Sequence, residues 1–141
     1  MRQQVRIAAV LLVVGSFVLG SARGQAGSPG IKVNVPFSFA IGGKTLSAGE
    51  YKVYSSSEKV WVQEANGRNV AVLSTNALDG KVPARDGKVI FNCYLNECFL
   101  SQVWIAGQEA GRRLPVTKRQ VQLAKRGAGQ EYALLGTATS R

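Results

Sequence analysis

A chain of 141 residues with 18 basic and eight acidic side chains, formal charge +10, is small and strongly cationic. It has no histidine, which removes Ser-His-Asp and Cys-His nucleophilic machinery, the usual zinc sites and the commonest general base near neutral pH. Two cysteines alone cannot complete a four-ligand zinc site, and the eight acidic residues are scattered singly rather than paired as in glycosidases.

Residues 1–26 read as a secretory signal peptide. Arg2 and Arg6 open it, an apolar run spans residues 7–19, and small residues follow. The run is shorter than the roughly 20 residues a helix needs to cross a bilayer. Small residues at −3 and −1 fit cleavage after Ala22, Gly24 or Ala26; an uncleaved N-terminal anchor is the alternative. Residues 27–30 read as a flexible leader and 31–141 as a single β-rich domain. The expected destination is periplasmic or secreted, and no later apolar run is long enough to span a membrane as a helix. Without Arg2, Arg6 and Arg23 the chain keeps 15 basic residues against eight acidic ones, concentrated after Arg112, where Glu131 is the sole acid. That excess serves solubility or contact with an acidic polymer or an anionic lipid surface.

From Ile31 the pattern is β. Ile31, Val33, Val35, Phe37, Phe39 and Ile41 alternate with small or polar residues, predicting one half-buried strand in which Pro36 marks an edge or a bulge. Gly42-Gly43-Lys44-Thr45 ends like a phosphate-binding loop, but the full pattern requires glycine where Ser38 stands, and no helix pattern follows. It reads as a hairpin turn. A second strand covers residues 49–54, with Tyr51 and Val53 on one face. Residues 59–64 and 69–74 flank Asn66-Gly67, which predicts a type I′ hairpin pairing Val62 with Ala71, Trp61 with Val72 and Val60 with Leu73. Both faces of that hairpin are largely apolar, so the outer one needs a cover. Residues 76–87 read as a long loop, functional or mobile, in which Arg85 and Asp86 belong to a solvated turn.

Residues 88–105, KVIFNCYLNECFLSQVWI, predict the central hairpin. If Cys93 faces Cys98, then Phe91 faces Leu100 and Val89 faces Gln102. The expected loop is the four-residue one over 94–97, because Leu95 is a poor residue for positive φ. In an oxidising compartment the two cysteines form a structural disulfide. A redox role is the rival, although the spacing is C-x4-C rather than C-x-x-C. A turn at 106–111 follows. Thr117-Lys118-Arg119-Gln120 is a capping-box pattern, with Gly127 at the expected C-cap. It predicts a short amphipathic helix with Lys118, Arg119, Gln122, Lys125 and Arg126 on one side and Val121, Leu123 and Ala124 on the other. The outer face of the Asn66-Gly67 hairpin is its expected seat. Residues 131–137 read as a last strand with a frayed end.

Two blocks, VNVPFSFAIGGKTLSAGEYKV at 33–53 and FLSQVWIAGQEAGRRLPVTKRQVQLA at 99–124, resemble a family of small, uncharacterised exported bacterial β-rich proteins. Ser47 stands where that family's turn usually has proline, and Thr117 where its helix-capping serine lies. Gln120 and Gln122 occupy positions often acidic, and Cys93 and Cys98 replace basic and aromatic residues. The resemblance implies a fold and a compartment and no reaction.

The expected fold is mainly β: a single antiparallel β-barrel or β-sandwich of about seven to eight strands with one short C-terminal amphipathic helix. The expected function is that of a non-catalytic binding or interaction module of the cell envelope. Its partner would be a small apolar ligand held inside, since small barrels hold such ligands, or an envelope partner. The lipocalin Gly-x-Trp mark is absent at both Trp61 and Trp104. The alternative is a structural envelope protein held by its basic helix to an acidic partner or membrane surface, and a small enzyme without histidine ranks last. Candidate contacts for an anionic partner are Arg112, Arg113, Lys118, Arg119, Lys125 and Arg126. Nucleic acid is disfavoured, because no aromatic residues interleave with these cations. No cofactor or metal is implied. A buried apolar cavity would favour the ligand reading, and a solid core the interaction reading.

Overall fold

The computed structural model describes residues 28–140 apart from Ser57, so the signal-peptide reading of residues 1–26 lies outside the described residues. Twelve strands and one helix form two packed antiparallel sheets among the described residues. The first sheet has the order β12(Thr137–Ser140), β1(Pro29–Val35), β4(Gly49–Ser55), β5(Lys59–Glu64), β6(Asn69–Ser74). The second has the order β11(Gln130–Leu135), β8(Lys88–Tyr94), β9(Glu97–Trp104), β10(Ala110–Arg113), β7(Asn76–Asp79). A small hairpin of β2(Phe39–Ile41) and β3(Lys44–Leu46) joins β9 through one parallel pair, Ala40 with Phe99. The architecture is sandwich-like, and among the described residues the sheets do not close into a barrel.

The strand number exceeds the seven or eight expected because β3, β7 and β10 form in segments read as turns or a loop, and because long β segments are cut where the chain crosses between sheets. The alternating run from Ile31 is one such case: β1 ends at Val35 in the first sheet, and β2 begins at Phe39 in the second. Pro36 has no N–H for a ladder, so it sits at the corner itself. It does not mark an edge strand, since β1 is flanked by β12 and β4. The inward period survives the corner, for Ile31, Val33, Val35, Phe39 and Ile41 are all buried. Two other corners join the sheets at their edges. Thr75 separates β6 from β7, and Gly136 separates β11 from β12. At Gly136 a Cβ would lie 2.9 Å from the Lys32 carbonyl oxygen and 3.1 Å from the Ile31 Cβ, too close for any side chain.

Several expectations are corrected. Pro29 and Gly30, assigned to a flexible leader, open β1 and pair with Ser140 and Thr139. Residues 137–140, in the end expected to fray, are β12. Part of the long 76–87 loop is β7, paired with β10, and Ala84 exchanges backbone hydrogen bonds with Gln108 and Gly107 across the neighbouring turn. Sequence periodicity misses these because each segment gains its order from a partner distant in the chain.

The turns show the same mixture. Gly42 and Gly43 have φ of 57° and 80°, the two positive values a type I′ turn requires, so the Gly-Lys-Thr run belongs to a hairpin. In the β5–β6 hairpin the three predicted pairs hold, Val62 with Ala71, Trp61 with Val72 and Val60 with Leu73. The turn itself is different. Glu64 N–H bonds the Arg68 carbonyl, Gly67 N–H bonds the Glu64 carbonyl, and only Gly67 has positive φ, at 87°. This is a three-residue loop over 65–67 ending in a left-handed glycine, and a register shift at Val62/Gln63 absorbs the extra residue.

Between the sheets the core is continuous. Val33, Val35, Val53 and Val62 from the first sheet meet Phe39, Val89, Phe91 and Leu100 from the second. Phe39 stacks edge-on against Tyr51 and Phe91, each at 5.3 Å between ring centroids, and Phe37 meets Phe91 at 5.1 Å. Such pairs add about 0.5–1.5 kcal/mol each beyond their buried area. Ile90, Phe99 and Leu123 are equally buried but stand apart from this core. Leu123 comes from α1(Lys118–Ala124), which packs on β8 over the outer face of the second sheet. The helix therefore does not cover the β5–β6 hairpin. The link from β10 is only the four residues 114–117, which lets the helix reach no farther than the adjoining strands. On the first sheet's outer face Trp61 is half-buried and Val72 is 56% exposed.

Candidate functional site

The hairpin of β8 and β9 positions one wall of the candidate site. Its strands alternate: Val89, Phe91 and Cys93 point into the core, while Ile90, Asn92 and Tyr94 point out. Cys93 and Cys98 form the expected disulfide, with Cα atoms 4.0 Å apart, and Phe91 faces Leu100. A register shift at Ile90/Phe91 sets Val89 opposite Val103, so the expected pairing with Gln102 is not formed. The turn is the tight one: Tyr94 pairs with Glu97, leaving only Leu95 and Asn96 between them. Leu95 takes a φ of 54° and is 68% exposed. Cross-strand pairing enforced by the disulfide outweighs the roughly 1–2 kcal/mol that a left-handed leucine costs.

The helix supplies the other wall. Thr117 caps it, its hydroxyl accepting from the Gln120 N–H at 3.2 Å. In a full capping box the Gln120 side chain would return a bond to the Thr117 N–H; here it makes no hydrogen bond among the described residues. It is nonetheless only 6% exposed. The helix closes at Ala124 with Lys125 as its C-cap, and Gly127 lies beyond it without positive φ. Its buried side is Gln120 and Leu123, whereas Val121 is 45% exposed and Ala124 is also exposed. The predicted apolar face is thus rotated toward Gln120.

Between these walls runs a groove of about 320 Å³. Asn92, Ser101 and Gln102 line its sheet side, Gln120 and Val121 its helix side, and Arg113 its rim. The Asn92 amide donates to the Ser101 hydroxyl at 3.1 Å, and the Trp104 indole N–H donates to Gln102 Oε1 at 2.9 Å. The Ser101 O–H and the Gln102 Nε2 are thereby left directed to other acceptors. No carboxylate lines the groove.

The six candidate cations fall into three settings. Arg112 is buried, its Nε donating to the Thr75 hydroxyl and its Nη2 to the Thr75 carbonyl, both at 2.7 Å. It holds the β6–β7 corner. Arg119 forms a two-pronged pair with Glu97, at 2.6 and 3.1 Å. The hydrogen bonds from that guanidinium hold the Glu97 carboxyl below the usual carboxylate range. Arg113, Lys118, Lys125 and Arg126 are exposed and have no acidic partner among the described residues. Sequence reasoning found the cations but missed Asn92, Ser101, Gln102 and Gln120. The outward register of the central hairpin would have singled out Asn92, though not the groove that the helix makes with it.

The other cavities offer less chemistry. One of about 530 Å³ opens beside the disulfide and is lined by Phe37, Leu95 and Tyr132, with Asn96 and Gln130 among its polar side chains. The space enclosed by Val33, Phe39, Tyr51, Val62 and Phe91 is about 10 Å³, room for at most one water. Glu50 and Glu97 each pair with a cation, Lys32 and Arg119, on different sheets. Among the described residues no helix is long and apolar enough to cross a membrane. Compared with known protein families, with curated proteins and with solved structures, the chain matches none.

Proposed function

We propose that this chain is an exported, non-catalytic interaction domain of the cell envelope that takes its partner on its outer surface. The observation carrying this reading is the filled interior: the core leaves about 10 Å³, against the 300 Å³ or more that ligand pockets usually need. The disulfide and the basic, apolar, small-residue order of the N-terminus support export. The resemblance to small exported bacterial proteins agrees with this destination. The test is to recover the protein from its own envelope fraction, denature it and identify by mass spectrometry what is released. A partner without a stoichiometric apolar small molecule is expected. A stoichiometric lipid or pigment would overturn the reading.

A second reading, a structural protein held by its helix to an acidic surface, is favoured by the outward Lys118, Lys125 and Arg126. It predicts that changing all three to glutamine abolishes retention on heparin or anionic vesicles while leaving folding intact. Unchanged retention would sink it.

A further inference from the structure

Within the reading of an outer-surface interaction domain, the geometry points to the groove between α1 and the β8–β9 hairpin as a binding site for an anionic saccharide of the uronate kind. Gln120 is the first ground. The residue is only 6% exposed and lines the groove, and its carboxamide, which makes no side-chain hydrogen bond among the described residues, remains within reach of solvent there. An amide held open to a groove by an otherwise buried residue is fixed in place and can exchange its water for a polar ligand at little cost in side-chain entropy.

The donors around it specify the kind of molecule. The Ser101 hydroxyl, the Gln102 Nε2 and the Arg113 guanidinium border the same space, while the amide oxygens of Asn92 and Gln120 can accept from hydroxyl groups. Amides and hydroxyls that both donate and accept match the hydroxyl-rich edge of a sugar ring. Tyr94 adds an aromatic surface, and Leu114, Val116 and Val121 add aliphatic ones for the ring's C–H faces. Charge selects further. Arg113 stands on the rim, and Lys118 and Lys125, three and four residues from Val121, share its side of the helix. Among the described residues three cations at the margin outnumber the one unpaired carboxylate nearby, Glu131 opposite Asn92, since Glu97 opposite Tyr94 is tied to Arg119, so the field favours a carboxylate-bearing sugar over a neutral one. A volume of about 320 Å³, at the small end of ligand sites, suits a short stretch of such a polymer.

The experiment uses the protein recovered after export from cells expressing the full chain. Oligogalacturonate, a neutral galactose oligomer, and phosphatidylcholine vesicles with and without phosphatidylglycerol are titrated by calorimetry, and ¹H–¹⁵N spectra follow the side-chain amides. Oligogalacturonate is expected to bind at least about tenfold tighter than the neutral oligomer and to move the Gln120 and Gln102 side-chain amide signals. Gln120→Leu and Arg113→Gln should each weaken binding by about tenfold, whereas Lys59→Gln on the other sheet should not. Gln120→Leu nearly keeps the side-chain volume and breaks no hydrogen bond among the described residues, so its melting temperature should stay close to that of the parent. If that variant fails to fold, Arg113→Gln and Gln102→Leu carry the same test. Binding untouched by these variants, equal affinity for the neutral oligomer, or binding to anionic vesicles alone would each overturn the site. Such a result would leave the outer-surface reading standing, since that reading fails only on a stoichiometric interior ligand.

Discussion

Replacing Arg112 by alanine probes how the corner between β6 and β7 is held. The guanidinium makes two charge-assisted hydrogen bonds at 2.7 Å, to the hydroxyl and the carbonyl of Thr75. Thr75 in turn bonds the Glu58 carbonyl through both its N–H and its hydroxyl. Hydrogen bonds to charged groups contribute about 1.5–3 kcal/mol each. The groove beside Arg112, about 410 Å³, admits water that can re-solvate the Thr75 carbonyl once the side chain is gone. The expected loss therefore lies toward the lower end, about 2–4 kcal/mol, or about 8–16 °C in melting temperature for a domain of this size. Arg112→Lys keeps the charge and one bond but loses the planar fork, so about half that loss is expected. Urea unfolding followed by tryptophan fluorescence measures both variants. A midpoint for Arg112→Ala equivalent to less than about 0.5 kcal/mol would refute the role given to this corner.

Three further outcomes are expected. Leu95→Asn, which tolerates positive φ far better, should raise stability by about 1 kcal/mol in the same assay. The native protein should show no free thiol on labelling under denaturing conditions, and replacing Cys93 and Cys98 together by alanine should cost about 2 kcal/mol, the loop closed being short. The third concerns Glu97, whose folded pKa lies below its unfolded value. The pair's contribution is present above the unfolded pKa and fades as pH falls through the folded one. A carbon-detected NMR titration should find the Glu97 carboxyl below a typical glutamate and find it raised in Arg119→Gln; an unchanged midpoint would contradict the pairing.

The strand faces were legible from period two alone. Ile31, Val33, Val35, Phe39 and Ile41 are buried as their alternation demands, and Phe91 faces Leu100 across the disulfide-pinned hairpin. Turn geometry was less legible because rival turns preserve the same pairing. Asn66-Gly67 forms a three-residue loop with a compensating register shift, and Leu95 accepts a φ that its type disfavours because the cysteine pair fixes the strands on either side. The sheet-crossing corners were invisible. Nothing local distinguishes Thr75 or Gly136 from an ordinary loop residue, since what defines them is Arg112, Lys32 and Ile31 arriving from elsewhere. The groove was hidden for a related reason. Gln120 reads locally as a capping residue, and only docking of the helix on β8 places it in the groove.

The corners at Thr75 and Gly136 also bear on how this chain behaves among copies of itself. An edge strand with free N–H and C=O groups is a template for pairing with another chain. Here β6 continues into β7 and β11 into β12, so each sheet's edge bends away into the other sheet. The last of these closures pairs Pro29 with Ser140 and so joins the two ends of the described chain. It can form only once residues 137–140 are in place. Until then β1 lies bare along one side, and removal of residues 137–140 would restore that sticky intermediate permanently. As the outermost strand of its sheet, β12 thus offers other chains four residues where β1 would offer seven, and its removal is expected to raise self-association.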